Sequence, residues 1–177
     1  MNIEQRAYET ELEIRGDGDG RTICGIVVPY DVEQRIAPNL TEVFRQGAFS
    51  RVIPAAHRVK LLVSHDSRAL PIGRATLLRE EARGLWGEFR VSKGSRSDDI
   101  LELVRDGALS EFSIGFQAIK DNRRKDGVIE RLAAHLAEVS LVTFGAYGQA
   151  AQISAVREVS PTPNLDQLDE ILKAIRK

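Results

Sequence analysis

Residues 108–117 read Ala108-Leu109-Ser110-Glu111-Phe112-Ser113-Ile114-Gly115-Phe116-Gln117. Apolar side chains alternate with small or polar ones at the period of two that a β-strand imposes. A strand here presents Phe112, Ile114 and Phe116 on one face and Ser113, Gly115 and Gln117 on the other. The first face has the bulk to form a core. The second is nearly bare, so a substrate backbone can approach the Ser113 hydroxyl closely. An isolated Ser-x-Gly-Phe is more often a half-buried strand whose serine bonds a neighbour. Chemistry at Ser113 therefore depends on what the flanking sequence delivers to it.

Immediately upstream, Ser97 is placed to cap a helix over residues 98–105, with Asp98 and Asp99 at the positive end of its dipole and Gly107 as its stop. Downstream, residues 121–127 form a polar hairpin loop and residues 128–144 a mostly apolar return arm. Antiparallel pairing about that loop sets Ser113 opposite the neighbourhood of His135, with Glu138 a little further along. Plain alternation groups Leu136, Glu138, Ser140 and Val142 on one face of the arm and His135, Ala137, Val139, Leu141 and Thr143 on the other. A slip of one residue exchanges the two faces.

Farther from the serine, residues 7–15 alternate as a strand, and Gly16-Asp17-Gly18-Asp19-Gly20 reverses the chain into a partner at 22–28. Asp17 and Asp19 lack the spaced glutamate of a calcium loop, which leaves the turn reading. Residues 41–49 are expected to form short helical turns ending near Gly47 and covering an end of the sheet. In the strand at 59–66, Val59, Leu61, Val63 and His65 point to one side, so His65 ends an inward-facing row. A further hairpin joins residues 71–78 to 84–91 across 79–83. Ser160-Pro161-Thr162-Pro163-Asn164 then interrupts regular structure, and Leu165, Leu168, Ile171, Leu172 and Ile175 stripe a tail helix. The organisation expected is one domain over residues 1–157, followed by a linker and tail helix over 158–177.

The 177 residues, 42% apolar and 29% charged, suit one ordinary globular domain. A net charge of −1 without a long basic run gives no general attraction to nucleic acid or an anionic membrane, and neither is expected as a partner. Cys24 is the only cysteine, so an internal disulfide and a thiolate zinc cage are excluded. Neither a metal nor another cofactor is expected. No apolar run approaches the ~18 residues of a membrane span, and the polar start of the chain does not read as a secretory signal.

A serine hydroxyl needs a neutral imidazole to take its proton, and that imidazole needs a group to hold its tautomer. Of the three histidines, His57 falls in a loop, whereas His65 closes a strand face where it can be oriented and sheltered. Glu138 and His135 both return on the arm beside the serine strand and compete for the third role. Asp66 points away from His65 if both are extended. Glu138, set among Leu136, Ala137, Val139 and Leu141, is the stronger candidate, because a carboxylate there wants a donor.

Three ordered blocks resemble those of the tailed-phage prohead (procapsid) maturation proteases, serine peptidases related to the herpesvirus assemblin fold. Leu62-Val63-Ser64-His65-Asp66 followed by Pro71-Ile72-Gly73-Arg74-Ala75 is similar to the family's histidine block. Residues 107–116 are similar to its serine block, and residues 136–143 to the block that follows. The resemblance implies His65 as base, Ser113 as nucleophile and Glu138 as orienting acid, with His135 as the alternative third member. Gly115 and Arg74 are candidates for holding the oxyanion or the substrate. It also implies an α+β, mainly β fold, an antiparallel β-barrel with surrounding helices. The activity implied is that of a serine endopeptidase, which cuts the scaffold segment of the major capsid protein and itself. It would act inside the immature prohead in the host bacterial cytoplasm, self-associated or bound to the scaffold. The competing expectation is an inactive module of the same fold that helps shape the prohead.

Overall fold

The computed structural model describes residues 3–8, 12–15 and 19–143. The linker and tail helix expected at 158–177 lie outside them. In chain order the elements are β1 (Glu4–Tyr8), β2 (Glu13–Arg15), β3 (Thr22–Pro29), β4 (Gln34–Ala37), β5 (Leu40–Phe44), a 3₁₀ helix (Ile53–Arg58), β6 (Lys60–Val63), β7 (Gly73–Glu81), β8 (Gly84–Val91), α1 (Ser95–Arg105), β9 (Glu111–Arg123) and β10 (Ile129–Val142). No helix among the described residues is long and apolar enough to cross a membrane.

β9 and β10 form the long antiparallel pair around which the sheet is built. Their turn closes with Gly127 donating to the Arg124 carbonyl at 3.0 Å, and Gly127 adopts φ 90°, a conformation costly to residues with a Cβ. From this pair the strand order runs β1-β9-β10-β6-β7-β8-β3-β2, while β5 also pairs with β10 and β4 with β5. The sheet curls into a half-barrel, and its inward side chains meet in one core. Phe112, Ile114 and Phe116 are fully buried there, and the Phe116 ring meets that of Phe44 edge-on at 5.1 Å.

The wholly antiparallel barrel expected from the sequence is corrected to a mixed sheet. β10 pairs parallel with β5 at Ile129 to Arg131 and with β6 at Glu138 to Leu141. Residues 45–59 carry the chain forward beside β10 instead of reversing it, so both strands inherit the direction of β10. Among the described residues no pairing joins the terminal strands β1 and β2. Of the long strand expected at 7–15, the described residues form parts of two strands with different partners. Its first part, β1, pairs with β9, and β2 pairs with β3. The helical turns expected at 41–49 are instead β5 and the tight turns after it.

α1 delivers the chain into β9 by burying Leu101 and Val104. Gly107, at φ 80°, ends it, and the Leu109 N–H returns to the Leu103 carbonyl at 2.9 Å. Ser97 is not the cap: it lies buried within the helix, and Gly94 occupies the N-cap without a side-chain bond.

A buried ionic cluster fastens β1 to the middle of the sheet. The Glu42 carboxylate, 1% exposed, accepts from Arg6 Nε at 2.6 Å and from Arg131 Nε and Nη2 at 2.9 and 2.8 Å. Glu4, Asp121 and the Gln5 backbone carbonyl accept the remaining donors of the two guanidiniums, both of which stack against Phe116.

Candidate active site

β9 and β10 place Ser113 directly opposite Ser140 and Gly115 opposite Glu138, on the face of the sheet away from the aromatic core. This register contains a one-residue bulge at Ala137. Leu136 therefore pairs with Phe116 and is buried with Val139 and Leu141, while Glu138 and Ser140 emerge beside the serine. Strict alternation would have put Leu136 and Glu138 on one face; the extra residue gives each its own.

His65 reaches the same face from β6, but not as the end of an inward row. β6 stops at Val63, and Ser64 and His65 adopt φ 51° and 56°. Two consecutive left-handed residues cost roughly 1–2 kcal/mol each. Their backbone bonds offset this: Ser64 N–H donates to the Leu141 carbonyl at 3.0 Å, and His65 N–H to Ser140 Oγ at 3.0 Å. Asp66 fixes the following turn by accepting from the Arg68 and Ala69 N–H groups. The reversal swings the imidazole across β10 to the serine.

His65 Nε2 lies 2.5 Å from Ser113 Oγ, and His65 Nδ1 lies 2.7 Å from Glu138 Oε1. An ionised carboxylate can only accept, so the proton of a neutral ring belongs on Nδ1 and Nε2 is left to accept from the hydroxyl. Ser113 is 1% exposed and the side chains of His65 and Glu138 are each 14% exposed, which shields both bonds from bulk water. Ser140 Oγ donates to Glu138 Oε2 at 2.8 Å, so both carboxylate oxygens are held. Such an arrangement can deprotonate the hydroxyl as it attacks a carbonyl, and can stabilise the imidazolium that results.

Gly115 serves this geometry by its lack of a side chain. A Cβ there would stand 2.5 Å from Glu138 Oε1. Arg74 pairs with Lys60, which in turn pairs with Glu138, so it lies two strands away from the carboxylate. Its guanidinium donates to the Ala75 carbonyl. His135 pairs with Gln117, and its side chain is exposed. His57 is exposed on the 3₁₀ helix. The residues brought together are thus Ser113, His65 and Glu138; Arg74, His57 and His135 make no described hydrogen bond to them. Ser140 had no role in the sequence reading. Its spacing of two from Glu138 was the available signal, because residues two apart on a strand share a face.

A family model described as caudovirus prohead serine protease matches residues 8–164. The prohead protease of Enterobacteria phage HK97 is 26% identical over 167 residues, covering 92% of this chain and 73% of that protein. The solved structure of the bacteriophage T4 capsid assembly protease superposes with a TM-score of 0.58 at 10% identity, over 80% of this chain and 97% of that one, a likeness of fold.

Proposed function

Because the chain belongs to the caudovirus prohead serine protease family, we propose that it is a serine endopeptidase whose nucleophile, base and orienting acid are Ser113, His65 and Glu138. One observation supports this above the rest: His65 bridges the two other side chains, with a distance of 2.5 Å on the serine side and 2.7 Å on the carboxylate side. Ser113 Oγ attacks the scissile carbonyl as His65 Nε2 takes its proton. Glu138 holds the Nδ1 proton and balances the charge on the ring. The imidazolium then protonates the leaving amine. Water repeats the sequence on the acyl-enzyme and frees Ser113. The substrates in this reading are the scaffold segment of the major capsid protein and the protease itself, cut inside the immature prohead in the host bacterial cytoplasm. The residues beyond the linker at 160–164 tether the enzyme to the scaffold until they are removed.

The test is co-expression of the chain with its cognate capsid protein, with every product read by intact mass. Wild type yields shortened capsid protein, and Ser113→Ala leaves uncut precursor. Identical processing with both would favour the inactive assembly module. For the third member, Glu138→Ala lowers processing by roughly 10³–10⁴ while His135→Ala leaves the triad whole. The reverse ranking would transfer the role to His135.

A further inference from the structure

Arg51, Arg58 and His135 line one cleft of about 550 Å³ between the 3₁₀ helix region and β10. Among the described residues no acidic side chain lines it, and the three cationic or basic groups share it with apolar residues such as Val59 and Ile119. All three are exposed, and none forms an ion pair with any described residue. By contrast, the arginines that hold the fold together, Arg6, Arg45 and Arg131, are each bound to carboxylates. The cleft exists because, on the edge opposite β9, no described strand pairs with β10 between Arg131, where β5 pairing ends, and Glu138, where β6 pairing begins.

Its position ties it to the chemistry. Ala137 lines the cleft and Glu138 follows in the chain. His135 pairs with Gln117, on the same strand as Ser113 and displaced toward the cleft. At roughly 3.3 Å per residue, the four steps from Ser113 to Gln117 span about 13 Å. An extended peptide whose carbonyl sits at Ser113 covers that distance with about four residues.

We propose that this cleft is a substrate subsite for an aspartate or glutamate side chain about four residues from the scissile bond, an inference that rests on the protease reading above. Guanidinium forks pair with carboxylates in bidentate geometry, and the apolar lining holds the methylene stem. A lysine or arginine at that substrate position meets like charge, with no acid among the described lining residues to neutralise it.

The full chain is incubated with a mixed peptide library, and the cleaved products are sequenced by mass spectrometry. Wild type enriches Asp and Glu three to five residues from the cut. The double variant Arg51→Ala/Arg58→Ala reduces the acidic-to-neutral ratio there by roughly tenfold, the loss of about one charge-assisted hydrogen bond. Arg58→Glu shifts the preference toward Lys and Arg. Absence of acidic enrichment, or enrichment unchanged in both variants, overturns the subsite. The protease reading fails separately, if the library is not cut by wild type or is cut equally by Ser113→Ala. Binding of a fluorescent glutamate-rich peptide to Ser113→Ala, with and without Arg51→Ala/Arg58→Ala, then decides the cleft independently of cleavage: arginine-dependent binding upholds it and arginine-independent or absent binding overturns it.

Discussion

Ser140 Oγ donates to Glu138 Oε2 at 2.8 Å while accepting the His65 backbone N–H at 3.0 Å. A single hydroxyl thus fixes both the Glu138 carboxylate and the strained turn that carries His65. Ser140→Ala leaves two groups without their partner. Expected are a kcat lower by roughly tenfold with KM little changed, since the reacting geometry and not substrate contact is loosened. The unfolding free energy should fall by about 1–3 kcal/mol. Steady-state kinetics and urea denaturation measure the two; an unchanged kcat would deny Ser140 any positioning role.

Gly115→Ala tests whether the glycine is a space for the carboxylate. The added methyl meets the movable end of Glu138, at 2.5 Å from Oε1. The fold can absorb this by turning Glu138 aside, but the bond to His65 Nδ1 cannot survive. We expect kcat/KM to drop by roughly 10²–10⁴ with far less effect on the melting temperature. Retention of activity within about twofold of wild type would mean the site does not depend on that bond.

The cluster around Glu42 predicts a different response. Glu42→Ala leaves the Arg6 and Arg131 guanidiniums, both buried, without the fully buried carboxylate they share and with only the more exposed Glu4 and Asp121 as partners. Breaking a buried ion pair from one side costs about 3–5 kcal/mol. Urea denaturation should show that loss. A change below about 1 kcal/mol would place the cluster among weak surface pairs.

Burial, and then the Glu80 carboxylate beside it, push the Tyr30 phenol above its ordinary value of 10.0. Below that pH the phenol is neutral in folded and unfolded chains alike, and its contribution is complete. Above it the unfolded chain loses the proton while the folded one keeps it, so stability declines as pH rises. The slope attributable to one such group is about 1.4 kcal/mol per pH unit. Denaturation midpoints from pH 9 to 11 should fall more steeply for wild type than for Tyr30→Phe. Parallel curves would show that Tyr30 ionises as readily in the folded protein.

The alternation around Ser113 made β9 legible, because Phe112, Ile114 and Phe116 can only face a core together. The histidine and serine blocks drew attention to the three side chains that the fold brings within hydrogen-bonding distance. Less could be read where the backbone departs from regular geometry without a marking residue. Ser64 and His65 enter the left-handed region with no glycine to announce it. β9 runs on to Arg123, well into the loop expected at 121–127, and that later turn alone sets Val139 rather than His135 opposite Ser113. The bulge at Ala137, which passes through ordinary side chains, moves the partner by one more residue, to Ser140. Parallel pairing of β10 with β5 and β6 depends on partners distant in the chain, which local periodicity does not encode.

The bulge at Ala137 lets one strand keep two side-chain registers, core-facing Leu136 on one side of it and Glu138 at the serine on the other. Removing that one residue would barely alter the composition or hydrophobicity of the strand. It would nonetheless force either Leu136 outward or Glu138 inward. On this geometry the strand tolerates a change in the identity of residue 137 far better than a change in the number of residues, and a single deletion here separates a sheet that sets a carboxylate beside Ser113 from one that is merely well packed.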